Sequence, residues 1–349
     1  MKRATMLATV LSLTACQGVT PELINQLLSG SGGSGGSPVV ENRDDANTAL
    51  FRKLTRLSTW KLVSSVPMKG WQTFHTEGLV KIKDAFYVSA VEVTMDRVRT
   101  GSTDALTDFS TDRTPGAGRG WLFKFDGAGN LLGKVEMTAG DAYHPGGIDF
   151  DGRWIWVPVS EYRPNSFTNF YRVDPESMKA EIAFSAPDHI GGIVHDTHTG
   201  KFHGVSWGSR RLYTWQVQAK RDGKLEIRKG SWVPNPQHYI DYQDCHLQGV
   251  SFMLCGGLNG FSTPLGSLDI GGLELVDLRA NRPVHQIPVT TYLDEGKGPN
   301  PGLAATHNAF WSEALPSGSM RFYFMTETDN QADLVTYDVT PWSKPPPAP

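Results

Sequence analysis

The sequence has little net charge, few cysteines and almost no long helical pattern. Its 33 basic residues stand against 36 acidic ones. That balance gives no clustered basic surface, which argues against a nucleic-acid partner, because phosphate binding needs one. There is no Gly-x-Ser-x-Gly elbow, no phosphate-binding loop and no dinucleotide fingerprint, so the chemistries that depend on those turns have no seat here. After the first sixteen residues no apolar run is long enough to suggest a membrane span. The scarcity of helical periodicity, in a chain rich in Gly, Trp, Tyr and Val, points to one large all-β domain over residues 46–342.

The chain ends read differently. Met1-Lys2-Arg3 and the mostly apolar stretch Ala4 to Ala15 form a signal peptide, too short to cross a bilayer. Leu13-Thr14-Ala15-Cys16 resembles the bacterial lipobox. That resemblance implies removal of residues 1–16, with Cys16 as the acylated mature N-terminus. Gln17, in place of aspartate, favours the outer membrane of the cell envelope. The expected partner is therefore a membrane, through the lipid, with the protein a monomer outside the cytoplasm. Residues 17–45 contain Gly30-Ser31-Gly32-Gly33-Ser34-Gly35-Gly36-Ser37 and read as a flexible tether. Residues 343–349 are a proline-rich, extended tail.

Internal repeats decide the fold. A His-x-x-Gly-like tetrad before a short apolar strand recurs as His75-Thr76-Glu77-Gly78, His144-Pro145-Gly146-Gly147, His189-Ile190-Gly191-Gly192 and His246-Leu247-Gln248-Gly249. A degraded form is His307-Asn308-Ala309-Phe310. Each leads through a turn to a second strand. A third strand follows, ending near an aspartate in four of the units: Asp126, Asp174, Asp277 and Asp338. Four antiparallel strands per unit make a blade, and five units make a five-bladed β-propeller. The last unit runs out after its third strand, so Trp60 to Val66 is expected to close the ring beside Leu334 to Asp338. A six-bladed alternative would need a blade inside residues 94–119, where no alternating apolar strand occurs. On the tetrads and the strand ending in aspartate, residues 55–340 resemble a family of uncharacterised secreted β-propellers of bacteria and fungi. More distantly they resemble the calcium-dependent lactonases and strictosidine-synthase-like proteins. The resemblance implies the fold and leaves the chemistry open.

The inner strand of a blade lines the channel, so His75, His144, His189, His246 and His307 are expected to converge at one mouth. Glu92, Glu161 and Glu327 fall at equivalent ends of second strands, with intervals of 17 residues from His75 to Glu92 and from His144 to Glu161. Imidazoles backed by carboxylates suit a divalent metal ion (Fe, Mn, Zn or Ca), in a design similar to that of carotenoid-cleaving oxygenases. Glu77 would be the general base of a lactonase-like hydrolysis or of an oxygenase-like reaction on a small molecule. Arg97, Arg99 and Arg163 could clamp an anionic substrate. The alternative is a non-enzymatic module that binds a glycan, peptide or protein, its histidines bonded to backbone carbonyls. Cys245 and Cys255 lie five residues either side of Val250. A hairpin turn there would place them opposite each other, and a disulfide is expected.

Overall fold

Short β-branched and aromatic runs, broken by turns such as Asp126-Gly127 and Asp151-Gly152, build a ring of five antiparallel sheets. The computed structural model describes residues 42–101, 111–221, 224–264, 266–293, 302–328 and 330–343. The signal segment with Cys16, most of the tether and the end of the tail lie outside the described residues.

Strand β1 (Thr59–Pro67) precedes blade one, which is β2 (His75–Ile82), β3 (Ala85–Met95), β4 (Ala117–Asp126) and β5 (Leu131–Glu136). Blade two begins on a split inner strand, β6 (Ala142–Pro145) and β7 (Asp149–Phe150). It continues with β8 (Ile155–Glu161), β9 (Thr168–Val173) and β10 (Ala180–Ala186). Blade three is β11 (Ile190–Asp196), β12 (Lys201–Ser206), β13 (Arg211–Ala219) and β14 (Leu225–Pro234). Blade four is β15 (Asp241–Gln248), β16 (Phe252–Thr263), β17 (Gly266–Asp277) and β18 (Arg282–Val289). Blade five holds β19 (Ala309–Ala314), β20 (Met320–Met325), the short β21 (Glu327–Thr328) and β22 (Gln331–Thr340). Its outer strand is β1: Trp60 faces Val339 and Val66 faces Leu334. The ring closes as the repeats predict, and this pairing removes the edges an open array would leave.

The folded body starts earlier than the expected end of the tether. Arg43 donates to Asp277 at 2.8 Å and to the carbonyls of Val250 and Ser251. Asp45 then caps helix α1 (Ala46–Phe51), accepting from Thr48 N at 2.7 Å. Leu50, Phe51 and Leu54 enter the apolar layer shared by blades four and five.

Backbones meet closely near the axis. A Cβ added to Gly78 would lie 2.4 Å from Ile148 N, and one added to Gly147 would lie 2.7 Å from Asp244 Cα. Two of the tetrad glycines are therefore fixed by close contact with other blades around the axis. Beneath them the fully buried Asp244 accepts the backbone N–H of Leu79 (2.9 Å), Ile148 (3.1 Å) and Phe310 (3.2 Å), pinning three other blades with one carboxylate. The expected disulfide is present. Cys245 and Cys255 are direct partners across the β15–β16 hairpin, with Cα atoms 4.1 Å apart.

Candidate active site at the axial mouth

In four blades the inner strand carries a β-bulge against its neighbour, and the bulged residues are Glu77, Tyr143, Gly191 and Gln243. A bulge re-aims the side chains around it. Glu77, Gly191 and Gln243 consequently line a cavity of about 220 Å³, together with His75, His144, His189, Tyr162 and Trp207.

Glu77 is the hub. Its Oε1 lies 3.1 Å from His75 Nε2 and 2.9 Å from His144 Nε2. The other ring nitrogen of His75 meets Glu327 Oε1 at 3.1 Å. Burial alone would lower the His75 pKa, but Glu77 and Glu327 outweigh it and hold the imidazole up at about 10. Burial would raise Glu77, yet His144 and His75 keep it well below the usual carboxylate range. Burial also lowers His144, more than Glu77 restores. His189 is pushed down to about 3 by burial, with His144 adding to the effect. Near neutral pH the cluster is one imidazolium, two carboxylates (Glu77 and Glu327) and two neutral imidazoles.

Aromatic rings fix the neutral pair. Tyr162 stacks on His144 with centroids 3.6 Å apart, and the Arg97 guanidinium lies 3.2 Å above the other ring of the stack, that of Tyr162. His189 meets Trp207 edge-on at 4.8 Å and donates Nδ1–H to the Glu161 carbonyl at 2.9 Å. That bond leaves Nε2 as the acceptor. His144 is buried and neither ring nitrogen has a hydrogen-bond partner, because its 2.9 Å approach to Glu77 is not aligned as a hydrogen bond.

The expected ring of five histidines is not complete. His75, His144 and His189 line the cavity. His307 sits in a 3₁₀ turn, Ala305–His307, ahead of β19 and feels the charges of His75, Glu77 and Glu327. His246 lies elsewhere. It pairs with Leu254 below the mouth, its Nε2 bonds the Phe310 carbonyl at 2.8 Å, and it sits 3.3 Å from Asp244. In blade four Gln243 takes the mouth position, and Gly249 is a turn residue with φ of +48° rather than an axial contact.

The carboxylates divide too. Glu327 meets His75, whereas Glu92 accepts from Trp121 Nε1 at 3.0 Å and the Glu161 carboxylate pairs with Arg163 at 2.6 Å. Arg99 is mostly exposed, 3.9 Å from Asp112. Of the three arginines expected to clamp a substrate, Arg97 is the one stacked over the site through Tyr162. Sequence reasoning missed Tyr162, Trp207 and Gln243. Trp207 stands at the register of Glu161, which was a usable signal. Among the described residues, no group of three or more His, Cys, Asp or Glu side chains is placed so as to hold a metal ion.

Residues 44–342 match a family of unknown function, DUF6454, and the chain belongs to it. No curated protein matches the sequence. Among solved structures, a hypothetical protein from Leishmania major is similar over 81% of this chain and 91% of its own, at 11% identity and TM-score 0.45. The tail fiber of Staphylococcus aureus phage P68 is similar over 82% of this chain and 53% of its own, at 9% identity and TM-score 0.45. A GH43 β-xylosidase/α-arabinofuranosidase from a compost metagenome is similar over 80% and 95%, at 8% identity and TM-score 0.40. These likenesses are too distant to carry an argument about chemistry.

Proposed function

We propose that this protein is a lipid-anchored, extracytoplasmic propeller whose axial cavity holds one divalent metal ion and acts through it on a small molecule. One observation carries the reading: two imidazole nitrogens, of His75 and His144, lie 3.1 and 2.9 Å from the same Glu77 oxygen. Ligands bound at about 2.0 to 2.1 Å to one ion stand roughly 2.8 to 3.4 Å apart. Those separations are edges of such a polyhedron. The outer ring nitrogen of His75 is held by a carboxylate and that of His189 by a carbonyl, as metal-binding histidines usually are.

His75, Glu77 and His144 would hold the ion, with His189 beside them; imidazole donors favour zinc, manganese or iron over calcium. Such an ion supplies Lewis acidity and an acidified water for hydrolysis, or a centre for oxygen chemistry. The chain's own residues do the rest. Neutral His189, its Nδ1–H held by the Glu161 carbonyl, presents Nε2 as a lone pair for the ion or for a hydrogen bond, Tyr162 and Trp207 wall the cavity, and Arg97 faces the entering ligand through Tyr162. Glu77, whose proton affinity its neighbours depress, suits the role of ligand better than that of general base. The envelope location rests on residues 1–16, and the Cys245–Cys255 bond agrees with an oxidising compartment.

A metal-free acid–base site is the second reading, favoured by the pairing of the His75 imidazolium with Glu77 and Glu327. Calorimetric titration of stripped protein with Zn²⁺ and Mn²⁺ separates the two. His75→Ala, His144→Ala and Glu77→Gln should each weaken binding at least about tenfold, while Glu92→Gln leaves it unchanged. Equal affinity in all four variants would overturn the metal reading.

A further inference from the structure

A second cavity, of about 550 Å³, opens on the side of the ring between the outer strand of blade two and strands β13 and β14 of blade three. Its volume lies in the range of small-molecule sites. One wall is aromatic: Trp232 is 42% exposed, and Tyr213 stacks on Trp215 at 5.0 Å and 12°. The opposite end is polar. Arg211 Nη1 donates to Asp188 Oδ2 at 2.9 Å and to Asn165 Oδ1 at 2.8 Å, and the Tyr213 hydroxyl donates to the same Asp188 oxygen at 2.8 Å.

Asp188 and Arg211 are both nearly buried, at 3% and 7% exposure. A buried ion pair is often no more stabilising than apolar residues of the same volume, so packing alone does not account for one facing a cavity. Among the described residues lining this cavity the charged ones are these two, and they neutralise each other. An anion would meet Asp188 and a cation would meet Arg211. A neutral ligand with a flat apolar face and a rim of donors and acceptors meets no penalty, and a pyranose ring is such a ligand. From this geometry we infer that the lateral cavity is a binding site for neutral sugar rings, stacked on Trp232 and hydrogen-bonded by the Asp188–Arg211–Asn165 end.

The two cavities are separate but meet at Asp188. Asp188 Oδ1 also accepts the His189 N–H at 2.8 Å, so changing Asp188 would disturb both cavities, and exposed Trp232 is the residue to vary. The experiment is calorimetric titration of the protein with xylohexaose, cellohexaose and mannohexaose, with hexagalacturonate as the charged control. At least one neutral hexasaccharide should bind with a Kd below about 1 mM. Trp232→Ala should weaken it at least about tenfold, Trp232→Phe should keep it within about threefold, and His144→Ala should not change it. The proposal is overturned if none of the three neutral sugars binds, if Trp232→Ala binds like the parent, or if hexagalacturonate binds best.

Discussion

Replacing Asp244 with alanine should loosen three blades at once. The Asp244 carboxylate accepts the N–H of Leu79, Ile148 and Phe310 from other blades and of Cys245 from its own, at 2.9 to 3.2 Å. It also lies 3.3 Å from His246 Nε2, and both side chains are fully buried. Burial would lower the His246 pKa, but Asp244 and Asp149 hold it up at about 10, so in the variant burial prevails and the imidazole gives up its proton. Breaking a buried pair costs about 3–5 kcal/mol, and each unsatisfied N–H adds to that. A loss of about 4–6 kcal/mol is expected, and a melting temperature lower by roughly 6–10 °C. The His246 charge carries its own pH signature. Its contribution is complete below the ordinary value of 6.5 and fades as pH climbs through about 10, so the parent should lose stability over that window while Asp244→Ala does not. Urea denaturation followed by fluorescence gives the energy, and amide exchange gives the location. The amides of Leu79, Ile148 and Phe310 should lose protection together. A loss under about 1 kcal/mol, or unchanged protection at those amides, would refute the pinning role.

Gly78→Ala should destabilise the ring by about 3 kcal/mol or more, because the new Cβ would meet the rigid backbone of Ile148 and Gly147 at 2.4 and 2.7 Å; a urea midpoint like that of the parent would contradict this. Asp151 is held at about 2, against burial, by bonds from His195, Trp154 and Trp156. It should therefore contribute about 2 kcal/mol above its ordinary value of 3.8, lost as pH falls toward 2, and Asp151→Asn should flatten that part of the stability profile. Cys16→Ser should abolish palmitate labelling and release the propeller from membranes; labelling that survives would end the lipid-anchor proposal.

The repeat pattern carried the blade count and the closure by Trp60 to Val66, because each strand alternates around turns that sequence can show. Cys245 and Cys255 were equally legible, since two residues equidistant from a turn become partners. The blade-four tetrad misled for a physical reason. Gly78 and Gly147 are glycine because backbones of other blades touch them near the axis, whereas Gly249 sits in a turn with positive φ against the backbone of Arg43, away from the axis. Sequence does not separate those causes, so His246 was set in a register it does not occupy. The bulges that aim Glu77 and Gln243 into the cavity leave no residue signature. Tyr162 joins the site only because the end of β8 brings it over His144.

The metal content of untagged protein, measured by plasma mass spectrometry after purification without chelators, tests the central proposal most directly. About one zinc, manganese or iron per chain is expected, falling below about a tenth in His144→Ala that retains the parent's circular dichroism. Folded parent protein that carries no metal, and takes none up on dialysis against those ions, would contradict it.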